Sequence, residues 1–134
     1  MGRAFHVGDV LSITTGRLVS PRHVDGIYDI LNYLTGDSLF THQLPRAAER
    51  CRPWLLSQHP RLADVDASPV TDDASLERWL REHVARLGAT LEVEPLPASE
   101  WIHRDPIAEL MTMVPPEKRA RGPVTMNVVL DGAP

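Results

Sequence analysis

Between Val24 and Leu34 the apolar residues Val24, Ile27, Leu31 and Leu34 return every three or four positions, the spacing of one helix face. Ser20-Pro21 ahead of them is a hydroxyl followed by proline, a favourable helix start, and Gly36 suits a left-handed stop. The pattern therefore predicts a helix over Pro21–Thr35. A second helix opens near Thr41 and carries Leu44, Ala47, Ala48 and Cys51, with Pro45 tolerated in its first turn. Pro53 would crowd the carbonyl of Glu49 in a continuous helix, which predicts a break or kink near Arg52 and then a short helix over Pro53–Gln58.

The clearest helix is Ala74–Leu87, with Leu76, Trp79, Leu80, Val84 and Leu87 on one face. Asp72 and Asp73 suit its positive N-terminal end and Gly88 its close. Strict alternation follows at Thr90–Glu94, where Leu91 and Val93 face inward and Glu92 and Glu94 face water, the pattern of a half-buried strand. Asp105-Pro106 opens a short helix bearing Ile107, Leu110, Met111 and Val114, and Val124–Leu130 reads as a closing strand. Phe5–Thr15 is ambiguous: Asp9 and Gly16 suit the ends of a short helix, whereas the β-branched VLSITT favours a strand, and the helix is the preferred reading.

These elements predict a predominantly helical α+β fold, with N-terminal helices packed on a small C-terminal helix–strand–helix–strand unit. A length of 134 residues suits a single domain. Within it, a helical part spans about 1–62, an acidic linker 63–73 and the αβαβ part 74–134. With three Trp, two Tyr and two Phe, the core must be aliphatic. A strand pair joined through a helix is commonly parallel, and two strands form only a marginal sheet. The apolar run Val128, Val129 and Leu130 thus suggests pairing with a second copy, a homodimer seamed at the C-terminal strand.

Charge changes this picture modestly. Residues 1–62 carry 7 basic and 5 acidic side chains, and residues 63–134 carry 7 basic and 13 acidic, giving an overall −4. The asymmetry could steer a basic partner to the C-terminal half, and it argues against a general nucleic-acid binder. No apolar run approaches the roughly 20 residues of a membrane span, and no signal-peptide pattern opens the chain. The lone Cys51 allows no internal disulfide, so a cytoplasmic location is expected.

Candidate chemistry is sparse. Cys51 has His42, His59, Arg50 and Arg52 in its neighbourhood of the sequence, but no nucleophile signature; a small buried helix residue is the simpler reading. The six His residues show no zinc-ligand spacing, and no glycine-rich phosphate loop occurs, so neither metal nor cofactor is expected. Glu92 and Glu94 share a strand face, yet the alternation turns that face to solvent. Trp101, His103, Arg104 and Asp105 place an aromatic ring, an imidazole, a guanidinium and a carboxylate beside a helix start. Such a loop suits partner binding. Equally, Asp105 can cap the helix, Trp101 cover the core, and His103 and Arg104 be solvated, a reading that the capping pattern favours. Arg17, after Thr14-Thr15-Gly16, is a further candidate for holding a phosphate or carboxylate, although turn chemistry explains that stretch as well.

The run VGDVLSITTGRLVSPRHVDGIYDILNYLTGDSLFTHQLPRA, then CRPWLLSQHPRL and WIHRDPIAEL, resembles small uncharacterised proteins of bacteria, actinobacteria and their phages. The resemblance covers roughly half to two-thirds of the chain. It implies a cytosolic protein, encoded by a phage or another mobile element, and brings no catalytic residue. The function expected is a non-enzymatic accessory factor that binds a host protein or complex, in its sharper form an anti-CRISPR-like inhibitor of host defence. Two alternatives stand beside it: a small enzyme using His103 and Asp105 or Cys51, and a DNA-binding regulator using the arginine-bearing helices between Pro21 and Gln58.

Overall fold

A strand leads directly into a helix at the start of the chain. The computed structural model describes residues 2–113, and its elements run β1 (Arg3–His6), α1 (Val7–Thr15), α2 (Val24–Thr35), α3 (Leu44–Gln58), α4 (Asp73–Leu87), β2 (Thr90–Val93) and α5 (Pro106–Met113). Short 3₁₀ turns lie at Thr41–Gln43, Pro60–Asp64 and Ala98–Glu100. The chain forms two compact units that meet in sequence after His103, the second holding α5. The fold is the predominantly helical α+β arrangement that the periodicities predict.

Helix α1 explains why its sequence is ambiguous. Val7 through Ile13 are all buried, so no polar face breaks the run into a helical period. Its polar groups are satisfied locally: the Ser12 hydroxyl donates to Gly8 O at 2.8 Å and accepts from Val19 N at 2.9 Å. Asp9 lies in the first turn, while the capping position belongs to His6, whose Nδ1 accepts from Gly8 N at 2.9 Å. Gly16 closes the helix at φ 76°, a left-handed conformation that costs other residues.

Helix α2 begins three residues later than Ser20-Pro21 suggests. Ser20 is engaged elsewhere, donating to Asp9 Oδ1 and accepting from Arg22 N, and His23 sits at φ 56°, outside helical space. Gly26, Ile30, Leu31 and Leu34 form its buried stripe, and Gly36 ends it as expected.

The break expected near Arg52 is absent: α3 continues through Pro53 to Gln58. Ala47, Cys51 and Leu55 form its buried stripe, whereas Pro53 and Glu49 are exposed. The carbonyl that loses its partner at Pro53 is thus at the water-facing side, where solvent can satisfy it and the helix can bend to relieve the ring.

Residues 63–73 belong to the first unit and are tied into it at several points. Ala67 and Val70 are buried, Arg17 donates to Ala67 O at 2.9 Å and to Val70 O at 2.7 Å, and Trp79 Nε1 donates to Asp66 O at 3.0 Å. Helix α4 starts in a reciprocal cap: Asp72 Oδ1 accepts from Ser75 N at 2.8 Å, and the Ser75 hydroxyl accepts from Asp72 N at 2.9 Å. Trp79 is buried beneath it, with Leu76, Leu80, Val84 and Leu87 packed at the core margin.

Strand β2 buries Leu91 and Val93 and exposes Glu92, as the alternation predicts. Its partner is β1, antiparallel, with Arg3 opposite Val93 and Phe5 opposite Leu91. A strand in the N-terminal part, rather than helix alone, therefore completes the sheet of the described residues. The strand expected at Val124–Leu130 lies outside them. Phe5 packs on Tyr33 of α2 at a ring separation of 5.3 Å, which seats the sheet on that helix. In the second unit, Asp105 Oδ2 accepts from Ala108 N at 2.9 Å, the cap expected for α5.

Candidate functional site

Asp37 follows the left-handed close of α2 and gathers the segment that the sequence marks as a binding loop. Its Oδ2 accepts from Trp101 Nε1 at 3.0 Å and meets His103 Nδ1 at 2.8 Å, while Oδ1 accepts from Ser38 N at 2.8 Å. Burial pushes the Asp37 carboxyl pKa up, but the hydrogen bonds from Trp101, His103 and Ser38 outweigh it and hold it below the usual value. Helix α3 supplies the other side of the clamp. Arg46 donates to Ile102 O at 3.1 Å and stacks its guanidinium 4.2 Å from the centre of the Trp101 ring. One turn on, Arg50 Nε donates to Glu100 O at 2.8 Å, and its Nη2 pairs with the Glu100 carboxylate.

The loop is therefore fastened at Glu100, Trp101 and His103, and through the carbonyl of Ile102. The Ile102 side chain is left 67% exposed between these anchors. Phe40, three residues beyond Asp37, is also exposed, its ring tilted against His42 at 6.0 Å. Isolated apolar side chains on a surface are ordinary. An isoleucine at the apex of a loop tied down on both sides is preorganised, so presenting it to a partner costs little further ordering.

Of the sequence candidates, Trp101 and His103 come together, on Asp37 rather than on Asp105, whose carboxylate is the α5 cap. Arg104 opens the second unit. Arg17 donates to the carbonyls of Ala67 and Val70 and so closes the 67–70 turn. Cys51 is buried, and that burial outweighs the opposing charge of Arg50 and pushes its thiol up to about 12, so the thiolate needed for nucleophilic attack is scarce at neutral pH.

A second constellation escaped the sequence reading. Asp9, read there as a helix-end residue, is fully buried, accepting from the Ser20 hydroxyl at 2.5 Å and pairing with Arg22 Nη2 at 2.5 Å. Arg22 also reaches Asp29 at 3.0 Å, and Arg3 grips Asp29 through two bonds of 3.1 and 2.9 Å. Burial raises the Asp29 carboxyl pKa, yet the hydrogen bonds from Arg3 and Arg22 overcome it and the net direction is downward. The signal was the one charged residue of a helix that is otherwise uncharged and largely buried, a carboxylate that requires a partner from elsewhere. These bonds tie β1, α1 and α2 together.

Among the described residues, no group of three or more His, Cys, Asp or Glu side chains is arranged to hold a metal ion, and no helix is long and apolar enough to cross a membrane. The arginines of α3 are each engaged within the protein, Arg52 through Ile13 O at 3.0 Å.

Residues 5–65 match a family model described as a domain of unknown function, DUF7736. That span holds Asp9, Ser20, Arg22, Asp29, Asp37 and Arg46, and ends before the Trp101–His103 loop. No curated protein and no solved structure matches the chain.

Proposed function

We propose that this chain is a non-enzymatic protein-binding module that presents the Trp101–His103 loop to a partner protein. The observation that carries the reading is Ile102, exposed at the apex of a loop fixed by Asp37, Arg46 and Arg50. An apolar apex with a stacked Arg–Trp pair at its base is the composition of an interface anchor. The partner expected is a host protein or complex; an inhibitor of a host defence complex, anti-CRISPR-like, is the sharper form, and it rests on the resemblance to phage and bacterial proteins.

Affinity capture from a host lysate with the native chain and with Ile102→Asp tests this. A stoichiometric partner held by the native chain and lost by the variant, at unchanged melting temperature, supports it; equal recovery or none with both overturns it. The sharper form predicts that expressing the native chain, and not Ile102→Asp, restores phage growth on a host with active defence.

The His103–Asp37 pair favours one second reading, a small enzyme, because a carboxylate engages Nδ1 of a largely exposed imidazole and leaves Nε2 for a substrate. His103→Ala separates the two: loss of function with partner binding and stability intact favours catalysis.

A further inference from the structure

The two edges of the β1–β2 sheet are finished differently. Antiparallel strands alternate bonded and non-bonded pairs. Val7 N donates to Ala89 O at 2.9 Å, continuing the register, so Arg3–Val93 and Phe5–Leu91 are the bonded pairs. The backbone groups of Ala4 and Glu92 therefore point outward, to opposite edges.

On the β2 edge those groups are met. Glu92 O bonds His59 Nε2 at 2.7 Å, and Glu94 N donates to Gln58 Oε1 at 2.7 Å. Glu94 O accepts from Gln58 Nε2 at 3.3 Å and from Trp54 Nε1 at 2.8 Å. The side-chain amide of Gln58 thus stands where a neighbouring strand's peptide would. On the β1 edge, the Ala4 N–H and C=O meet no partner among the described residues, and Ala4 is exposed. Of the charged side chains beside this edge, Arg3 is folded onto Asp29 at 2.9 Å and over the Phe5 ring at 4.5 Å, and Glu92 lies over Gly2.

We infer that β1 pairs with β1 of a second copy, antiparallel about Ala4, making a four-stranded sheet in the order β2–β1–β1–β2. The edge is self-complementary under a two-fold axis. Ala4 supplies both a donor and an acceptor to its own counterpart, and His6 N–H comes opposite Gly2 C=O. The start of α1 at Val7 ends the edge on one side, and Ala4 stands at the centre of the symmetric pairing. The seam differs from the C-terminal strand expected from the sequence, and it is independent of the Ile102 reading.

Light scattering on the full chain over a micromolar concentration series, with Ala4→Glu and Ala4→Lys, tests it. The native chain should dimerise; Ala4→Glu sets two carboxylates opposite one another, each beside its own Glu92, and should weaken the dimer about fivefold, whereas Ala4→Lys, whose charge Glu92 opposes, should weaken it less. Mixing the two variants should restore association as a heterodimer. A native chain that stays monomeric, or a dimer indifferent to both variants, overturns the inference. Should either variant fail to fold, Ala4→Cys decides: the paired Cα atoms would lie about 5.5 Å apart, within disulfide reach. A linked dimer under mild oxidation is then expected, and its absence under conditions where the native chain dimerises is the contrary result.

Discussion

Asp9 and Asp37 each gather several donors around one carboxylate, the first beneath the core and the second at its surface. Asp9 is fully buried and holds the Ser20 hydroxyl and Arg22; the Asp37 side chain is 12% exposed and holds Trp101, His103 and Ser38. The chemistry is similar, and the surroundings decide its use. A buried carboxylate without its partners would be prohibitively costly, so its network is committed to holding β1, α1 and α2 in place. A carboxylate at the rim can lose a donor to water, and its network is free to position a loop whose apex faces outward.

The largest expected effect breaks the first member of the pair. Asp9→Ala removes the acceptor of the buried Ser20 hydroxyl and one of the two carboxylate partners of Arg22, and should cost about 3 kcal/mol in chemical denaturation. A loss under 1 kcal/mol would mean that Asp9 is as peripheral as Asp37. Next comes Gly26→Ala. An added Cβ would sit 2.4 Å from both Asp9 Oδ1 and Ser20 Oγ. Overpacking of this kind costs about 1–3 kcal/mol, against at most about 1 kcal/mol gained in helix propensity, so a net loss is expected. That loss should shrink in an Asp9→Ala background if the two sites share the same space.

Asp37→Ala should cost only about 1 kcal/mol globally, because its donors can turn to water. Its signature is local: faster amide exchange and proteolysis across residues 96–103, with the Asp9 region unchanged. Global unfolding on this change would erase the distinction drawn between the two aspartates. The smallest effect is on pH dependence. The folded Asp37 pKa lies below its ordinary value, so its stabilisation is complete above the unfolded pKa, near 4, and is lost as pH falls through the lower folded value. The native chain should therefore lose more stability than Asp37→Ala on acidification below about pH 4, and the two melting curves should run parallel above it.

Wherever structure followed from a few neighbouring residues, the sequence alone determined it. Helix α4 with its Asp72 cap, the left-handed ends at Gly16 and Gly36, the inward Leu91 and Val93, and the Asp105 cap of α5 all rest on interactions within about four residues. The Trp101–Asp105 segment was legible as polar and aromatic groups beside a helix start, but not as a loop held by Asp37. What lay beyond reach of the sequence was decided by contacts between distant segments. The short β1 becomes a strand only because Thr90–Val93 pairs with it, and α1 hides its period by being buried all round. Pro53 stays helical because it faces water on a helix that Ala47, Cys51 and Leu55 hold to the core. Asp9 finds Ser20 and Arg22, and Asp37 finds Trp101 and His103, only once the chain has closed on itself. A carboxylate's role depends on which donors and how much water reach it, and in this chain the folded packing sets both.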